Sequence, residues 1–175
     1  MAAVMHDRDA EQIPIDLSGP LEAEVSVVFE AAGRVMLTGP CGAAPWRIES
    51  RDRHPLDLVR HLADDAMGPP LLVHSTSWRW ERGAVVLSFL VVIEATMVRD
   101  MEVRPVERSG LARGAATQAP AEVGQWQVVE HALRHLAWLA REDDVVRRTL
   151  SPAWHTLLGD YVPEPFRQLD VEEDP

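Results

Sequence analysis

The sequence predicts an α+β fold in which a mixed β-sheet lies between helices, with an extra helix at the C-terminus. Two observations predict this class: alternating or wholly apolar segments recur between residues 24 and 106, and amphipathic helical patterns cover 55–68 and 123–141. A sheet whose two faces are each covered by a helix forms an α/β/α sandwich. With 175 residues, the chain has the length of one domain.

The first three strands follow from the apolar pattern. Glu24–Glu30 alternates apolar and polar residues, which is the period of a strand with one buried face. Ala32-Gly33 favours a turn, after which Arg34–Thr38 returns as a second strand. Pro45–Ile48 predicts a short third strand.

A helix is predicted over Pro55–Gly68, because proline suits the first helical turn and glycine commonly ends a helix. Asp57, His61 and Asp64 recur on its polar face. Its buried stripe is expected to comprise five apolar residues: Leu58, Val59, Leu62, Ala63 and Ala66.

A long hairpin is predicted after this helix. Glu81–Gly83 forms its turn, and Ala84–Glu94 is so apolar that we expect it to be buried on both faces. The first strand, Leu71–Trp80, alternates. One of its faces is expected to carry His74, Thr76, Trp78 and Trp80, and the other Leu71, Val73, Ser75, Ser77 and Arg79.

The remaining chain predicts one more strand at Met97–Val106 and a loop at Glu107–Ala121. Val123–Arg141 has the strongest helical period. Ser151-Pro152 favours the start of a final helix that ends at Gly159. We therefore expect a flexible leader at 1–21, one domain at 22–167 and an acidic tail at 168–175.

Composition limits the expected partners. The net charge of −11 argues against binding to nucleic acid or to an anionic membrane, because both attract Lys and Arg. All 17 basic residues are Arg, which excludes a Schiff-base or phosphate-loop lysine, and the single Cys41 allows no internal disulfide. With no signal-peptide pattern and no apolar run near the ~20 residues of a spanning helix, we expect a cytoplasmic protein.

The order of these elements resembles the Nudix hydrolase fold over about residues 22–141. Val25–Leu37, Pro55–Gly68 and His74–Ile93 are similar to that family's first hairpin, its motif helix and its following strands. Residues 127–139 also resemble Nudix-like proteins of actinobacteria. The resemblance implies a Nudix-like α/β/α sandwich in which motif glutamates hold Mg²⁺ or Mn²⁺ where a diphosphate is hydrolysed.

The family's motif is strongly altered in this chain. With Arg60 taken as the motif arginine, the metal-binding positions that the resemblance implies fall on Asp52, His61, Asp64 and Asp65. Both motif glycines are then replaced, and each remaining acid is Asp, one methylene shorter than Glu. With Gly68 taken as the closing glycine, the helix positions fall on Leu62, Asp65 and Ala66, and the metal face is lost. The acids also fit an ordinary solvated helix face.

The candidate ligand-binding residues are Arg53, Trp78, Arg79 and Trp80. Tryptophan can stack on a nucleobase, and arginine can pair with a phosphate. The alternative is that the two tryptophans belong to the core under the 123–141 helix. His131 and His135, one helical turn apart, could share a zinc ion or belong to a polar helix face.

Three functions fit the sequence. The first is a Nudix-like protein that has lost hydrolysis and binds a ligand, such as a small anionic molecule, or a protein partner. The second is an atypical Mg²⁺- or Mn²⁺-dependent hydrolase of nucleoside diphosphate derivatives. The third is a homodimeric interaction protein that uses the region around Trp138. We favour the first, with no nucleic acid and no membrane among its partners.

Overall fold

The computed structural model describes residues 20–50, 53–111 and 122–163. Most of the expected leader, all of the acidic tail, Asp52 and the segment 112–121 lie outside these residues. The elements, in chain order, are β1 (Leu21–Ala31), β2 (Arg34–Thr38), β3 (Trp46–Ser50), α1 (Pro55–Met67), β4 (Leu72–Glu81), β5 (Ala84–Val92), β6 (Arg104–Pro105), α2 (Gln125–Glu142), α3 (Asp144–Thr149) and α4 (Pro152–Leu158). Within the described ranges, no helix is long and apolar enough to cross a membrane.

The strands form one mixed sheet with β1 at its centre. Its order is β4-β5-β1-β2-β6, and β3 also pairs with β1. β1 runs parallel to β5 and antiparallel to β2 and β3. One edge of β1 is occupied by β5. The other edge is shared by two strands: β2 pairs with Val27–Ala31, and β3 pairs with Leu21–Val25. The last strand on the β5 side is β4, so its outer edge has no strand partner among the described residues.

Helices cover both faces of this sheet. α1 packs on the face formed by Val25, Val27 and Phe29, to which it contributes Val59 and Ala63. α2 packs on the opposite face, and the buried residues there include Val28, Leu37, Leu90, Leu133 and Leu136. Alternation along β1 therefore sends successive side chains into two separate cores. The predicted α+β class, with a mixed sheet between helices in an α/β/α sandwich, is confirmed.

Two predictions about the C-terminal half were wrong. Met97–Val106 contains only the two-residue strand β6, preceded by a short 3₁₀ turn at Ala95–Met97. The chain after α2 forms two helices where one was expected. α3 begins because the Asp143 carboxylate accepts hydrogen bonds from the backbone N–H groups of Val145 and Val146. The Ser151 cap of α4 is as predicted.

A β-bulge in β4 overturns the predicted faces of that strand. Its register against β5 shifts between Ser75 and Ser77, which inserts one extra residue, Thr76. His74 pairs with Leu90 on the α2 side, whereas Trp78 pairs with Leu87 on the α1 side. The histidine and the tryptophans therefore lie on opposite faces.

Candidate functional site

The polar face of α1 lies where the sequence placed it. Asp57, His61 and Asp64 are all exposed, and the buried stripe opposite them is Val59, Ala63 and Met67. Three members of the expected stripe differ from the prediction. Leu58 and Leu62 are half-buried and Ala66 is exposed, whereas Leu56 packs with the buried Val59, Ala63 and Met67 against the sheet.

A cleft of about 500 Å³ opens between this polar face and the start of β4. One wall consists of charged or titratable side chains of α1: Asp57, Arg60, His61 and Asp64. The other wall is apolar and is formed by the chain that leaves the helix: Pro69, Pro70, Leu71, Leu72 and Val73. Gly68 permits this sharp exit because its φ is +90°, which disfavours residues with a Cβ. The cleft thus joins hydrogen-bonding groups and an apolar surface, as binding sites commonly do.

The predicted metal-binding residues are only partly brought together. His61 and Asp64 line the cleft, whereas Asp65 does not. His61 Nε2 lies 3.4 Å from Asp65 Oδ2, one helical turn away. Asp52 falls outside the described residues. Within those residues, no group of three or more His, Cys, Asp or Glu side chains could hold a metal ion. The metal site therefore stays a prediction.

The four predicted ligand-binding residues do not line one pocket. Trp78 and Trp80 are 70% and 51% exposed and lie on the α1 side of the sheet, so they are not core under α2. Arg79 points to the opposite side. Arg53 is exposed, and its backbone carbonyl accepts a hydrogen bond from Ser50 Oγ at 2.8 Å.

Arg79 belongs to an ion network on the α2 side of the sheet. Its guanidinium lies 2.8 Å from carboxylate oxygens of both Glu24 and Glu81. Arg47 bridges Glu22, Glu24 and Glu81 at 3.0 to 3.1 Å. The hydrogen bond from Arg47, with that from Arg79, lowers the pKa of Glu81 although partial burial opposes the shift. Arg79 therefore neutralises carboxylates of its own sheet.

A buried carboxylate that the sequence analysis missed anchors the chain after β6. Glu130 on α2 is fully buried and binds Arg108 through two hydrogen bonds, of 2.9 and 3.1 Å, and Arg134 through one of 3.0 Å. The Arg108 guanidinium also lies 4.0 Å from the Tyr161 ring centroid. The spacing of Glu130 and Arg134 was visible in the sequence as an i,i+4 pair, but Arg108 is distant in the chain.

Three histidines meet on the α2 side of the sheet. The ring centroids of His131 and His135 are 4.7 Å apart, and His74 of β4 lies 5.9 Å from His135. Burial lowers the pKa of His74. Because of the bulge, His74 shares this side of the sheet with Arg79, whereas strict alternation placed His74 on the side of the tryptophans.

Comparisons with known proteins give structural neighbours only. No family model and no curated protein match the chain. It resembles the crystal structure of Shewanella oneidensis NrtR complexed with a 27mer DNA, with a TM-score of 0.52 and 15% identity over 81% of this chain and 77% of that one. It also resembles a second crystal structure of Shewanella oneidensis NrtR, with a TM-score of 0.52 and 14% identity over 79% and 77%.

These findings correct two expectations. Assignment to the Nudix hydrolase superfamily from an altered motif was wrong, since no family model matches the chain and its neighbours are structures of NrtR, which share the fold alone. Exclusion of nucleic acid was also unjustified, because NrtR of similar fold was crystallised with DNA. Net charge sums over the whole chain, whereas contact with DNA depends on local surface. At 15% identity or less, the neighbours establish one property of this chain, its Nudix-like fold.

Proposed function

We propose that this chain is a Nudix-like binding protein that does not hydrolyse diphosphates and that holds a ligand or a protein segment in the cleft between α1 and β4. The observation that carries the proposal is the pairing of the two walls, one charged and one apolar, around about 500 Å³. A space of that size is enough for a small molecule or for a few side chains of a partner. A cytoplasmic location, expected from the sequence, is part of the same proposal.

The lining favours a ligand that donates hydrogen bonds. Asp57 and Asp64 are acceptors when ionised, and Arg60 supplies donors on the same helix. Leu71, Leu72 and Val73 would bury an apolar portion of the ligand. An amide- or amine-bearing group with an apolar body fits both walls. Two carboxylates against one arginine in the lining disfavour the small anionic ligand that the sequence had suggested.

The chemistry of the helix supports binding over hydrolysis. Mg²⁺ needs nearly octahedral oxygen ligands at ~2.1 Å, which shortened side chains reach less readily from the same backbone. Asp64 and Asp65 point in different directions, since only Asp64 lines the cleft. His61, which stands at a motif glutamate position, lies beside Asp65.

Substitution of neighbouring aspartates tests the cleft. We expect that, among amide- and amine-bearing fragments that raise the melting temperature of the wild-type protein, Asp64→Asn weakens binding about tenfold, the value of one lost charged hydrogen bond. Asp65→Asn is the matched control, because Asp65 is also exposed but does not line the cleft. Equal affinity of wild-type protein and Asp64→Asn for every such fragment would show that the cleft is not the binding site.

DNA binding is the second candidate, and it is favoured by the NrtR complex with a 27mer DNA. Affinity for duplex DNA should then fall steeply with salt, because protein cations displace condensed counterions. Fluorescence anisotropy with labelled duplexes between about 50 and 200 mM salt measures this slope. Absence of binding at the lowest salt would rule the candidate out for the duplexes tried.

A further inference from the structure

The free edge of β4 carries an exposed aromatic segment. Trp78 and Trp80 alternate with Arg79 and Glu81 just before the hairpin turn at Arg82-Gly83. No strand pairs with this edge among the described residues. Natural edge strands are usually protected by a bulge, a proline or inward-pointing charges. The β4 bulge lies at Thr76, and residues 77–81 beyond it pair with β5 in an unbroken register, so no bulge protects this part of the edge.

We propose that two copies of this chain associate through antiparallel pairing of their β4 edges, in a register centred on Trp80. The pairing would join the two six-stranded sheets into one continuous sheet across a two-fold axis. It is independent of the ligand proposed for the cleft, because the cleft uses Leu71–Val73 on the other side of the bulge.

The charges of the segment select this register. A two-fold axis normal to the sheet places a residue opposite its own copy, so each register is defined by its central residue. Centring on Arg79 or on Glu81 places like charges directly opposite, which is destabilising. Centring on Trp78 places Trp80 opposite the bulged Thr76. Centring on Trp80 has neither defect.

The register centred on Trp80 is self-complementary. It places Arg79 of each copy opposite Glu81 of the other, so that two pairs of opposite charges form across the axis. Both side chains already meet within one chain, with the Arg79 guanidinium 2.8 Å from Glu81, and both retain exposed surface. The two Trp80 rings lie side by side on the α1 face, and Arg82 comes next to Trp78 of the other copy, where cation–π contact is favourable.

The expected association is weak. The tryptophans are 70% and 51% exposed, and a buried Trp removes roughly 150–250 Å² from water, so they dominate a contact that totals on the order of 1,000 Å². Interfaces of that size lie at the low end of specific complexes. We therefore expect a dissociation constant on the order of 10 μM, which gives monomer and dimer at concentrations that are easily reached.

Sedimentation velocity over about 1–500 μM full-length protein tests the interface. The wild-type chain should convert from monomer to dimer, and Trp80→Lys should raise the dissociation constant at least tenfold by placing two like charges at the axis. Val145→Lys is the matched control and should leave the dissociation constant unchanged, since Val145 is 65% exposed and belongs to α3, not to the β4 edge. A wild-type monomer at every concentration, or equal dimerisation of Trp80→Lys, would overturn the proposal.

Disulfide trapping tests the register. In a Cys41→Ser background, which removes the native exposed thiol, Trp80→Cys should form a covalent dimer under oxidation, because residues opposite their own copy have Cα atoms ~4.5–5.5 Å apart. Trp78→Cys faces Arg82 of the other copy and should crosslink at least tenfold more slowly. Faster crosslinking of Trp78→Cys than of Trp80→Cys would overturn the register.

Discussion

Removing the charge of Glu130 should destabilise the protein more than any other single carboxylate change on α2. The side chain is fully buried, and its two oxygens accept hydrogen bonds from Arg108 and Arg134. Glu130→Gln preserves the size of the side chain but replaces one acceptor by an NH₂ group. The new NH₂ group then faces the N–H groups of a guanidinium, so two hydrogen-bond donors lie opposite each other.

The size of the effect follows from the contacts. A hydrogen bond to a charged group contributes about 1.5–3 kcal/mol, and breaking a buried ion pair costs about 3–5 kcal/mol. The Arg108 side chain is 51% exposed and regains water when its partner is lost, which reduces the cost. We expect a loss of about 2–3 kcal/mol in the free energy of unfolding. For a chain of this length, that corresponds to a fall of roughly 5–10 °C in melting temperature.

Urea and thermal unfolding at pH 7 measure this loss, with Glu142→Gln as control. Glu142 is an exposed residue at the end of the same helix, so its substitution should change stability by less than about 0.5 kcal/mol. If the free energy of unfolding of Glu130→Gln lies within about 0.5 kcal/mol of the wild-type value, the buried ion pair does not stabilise this fold and the reasoning is refuted.

The same substitution should flatten the acid limb of the stability curve. Burial alone would raise the pKa of Glu130, but the hydrogen bonds from Arg108 and Arg134 outweigh it and lower the pKa below the usual value. The stabilisation is thus present above about pH 4.5 and lost as the pH falls through the folded-state pKa. The stabilities of wild-type protein and Glu130→Gln should therefore converge on acidification.

Two further substitutions test other parts of the fold. Arg79→Met leaves Glu24 with one arginine partner fewer and should cost about 1–2 kcal/mol in urea unfolding, whereas Arg82→Met in the exposed turn should change little; equal effects would contradict the ion network. Burial lowers the pKa of His74, so the unfolded chain takes up the proton first and wild-type stability should fall as the pH drops below about 6.5. His74→Asn should make that decline shallower, and the exposed control His54→Asn should retain the wild-type slope when melting temperatures are followed from pH 7.5 to 5.

Local periodicity was sufficient to predict most of the fold. β1, α1, β5 and α2 were found because each has a stripe or face of apolar residues at its own period. The bulge at Thr76 was not predictable, since strict alternation assumes a period of two and a single inserted residue exchanges the faces beyond it. The alternative that both tryptophans belong to the core under α2 was wrong for this reason.

The candidate site was predictable only on its helical wall. The spacing of Asp57, His61 and Asp64 defined one polar face of α1, and the structure confirms their exposure. The apolar wall depends on how the chain after Gly68 packs against that face, which is a tertiary contact. Glu130 was missed because its partner Arg108 lies in a segment without helix or strand, where sequence spacing carries no information on contacts.

The central claim is that this Nudix-like chain binds at the cleft without hydrolysis. Its most direct test is mass spectrometry of a panel of nucleoside diphosphate derivatives after incubation with purified wild-type protein and Mg²⁺ or Mn²⁺. We predict that every compound remains intact. Metal-dependent release of a monophosphate product that disappears in both Asp64→Asn and Asp65→Asn would contradict the claim and establish the chain as a hydrolase.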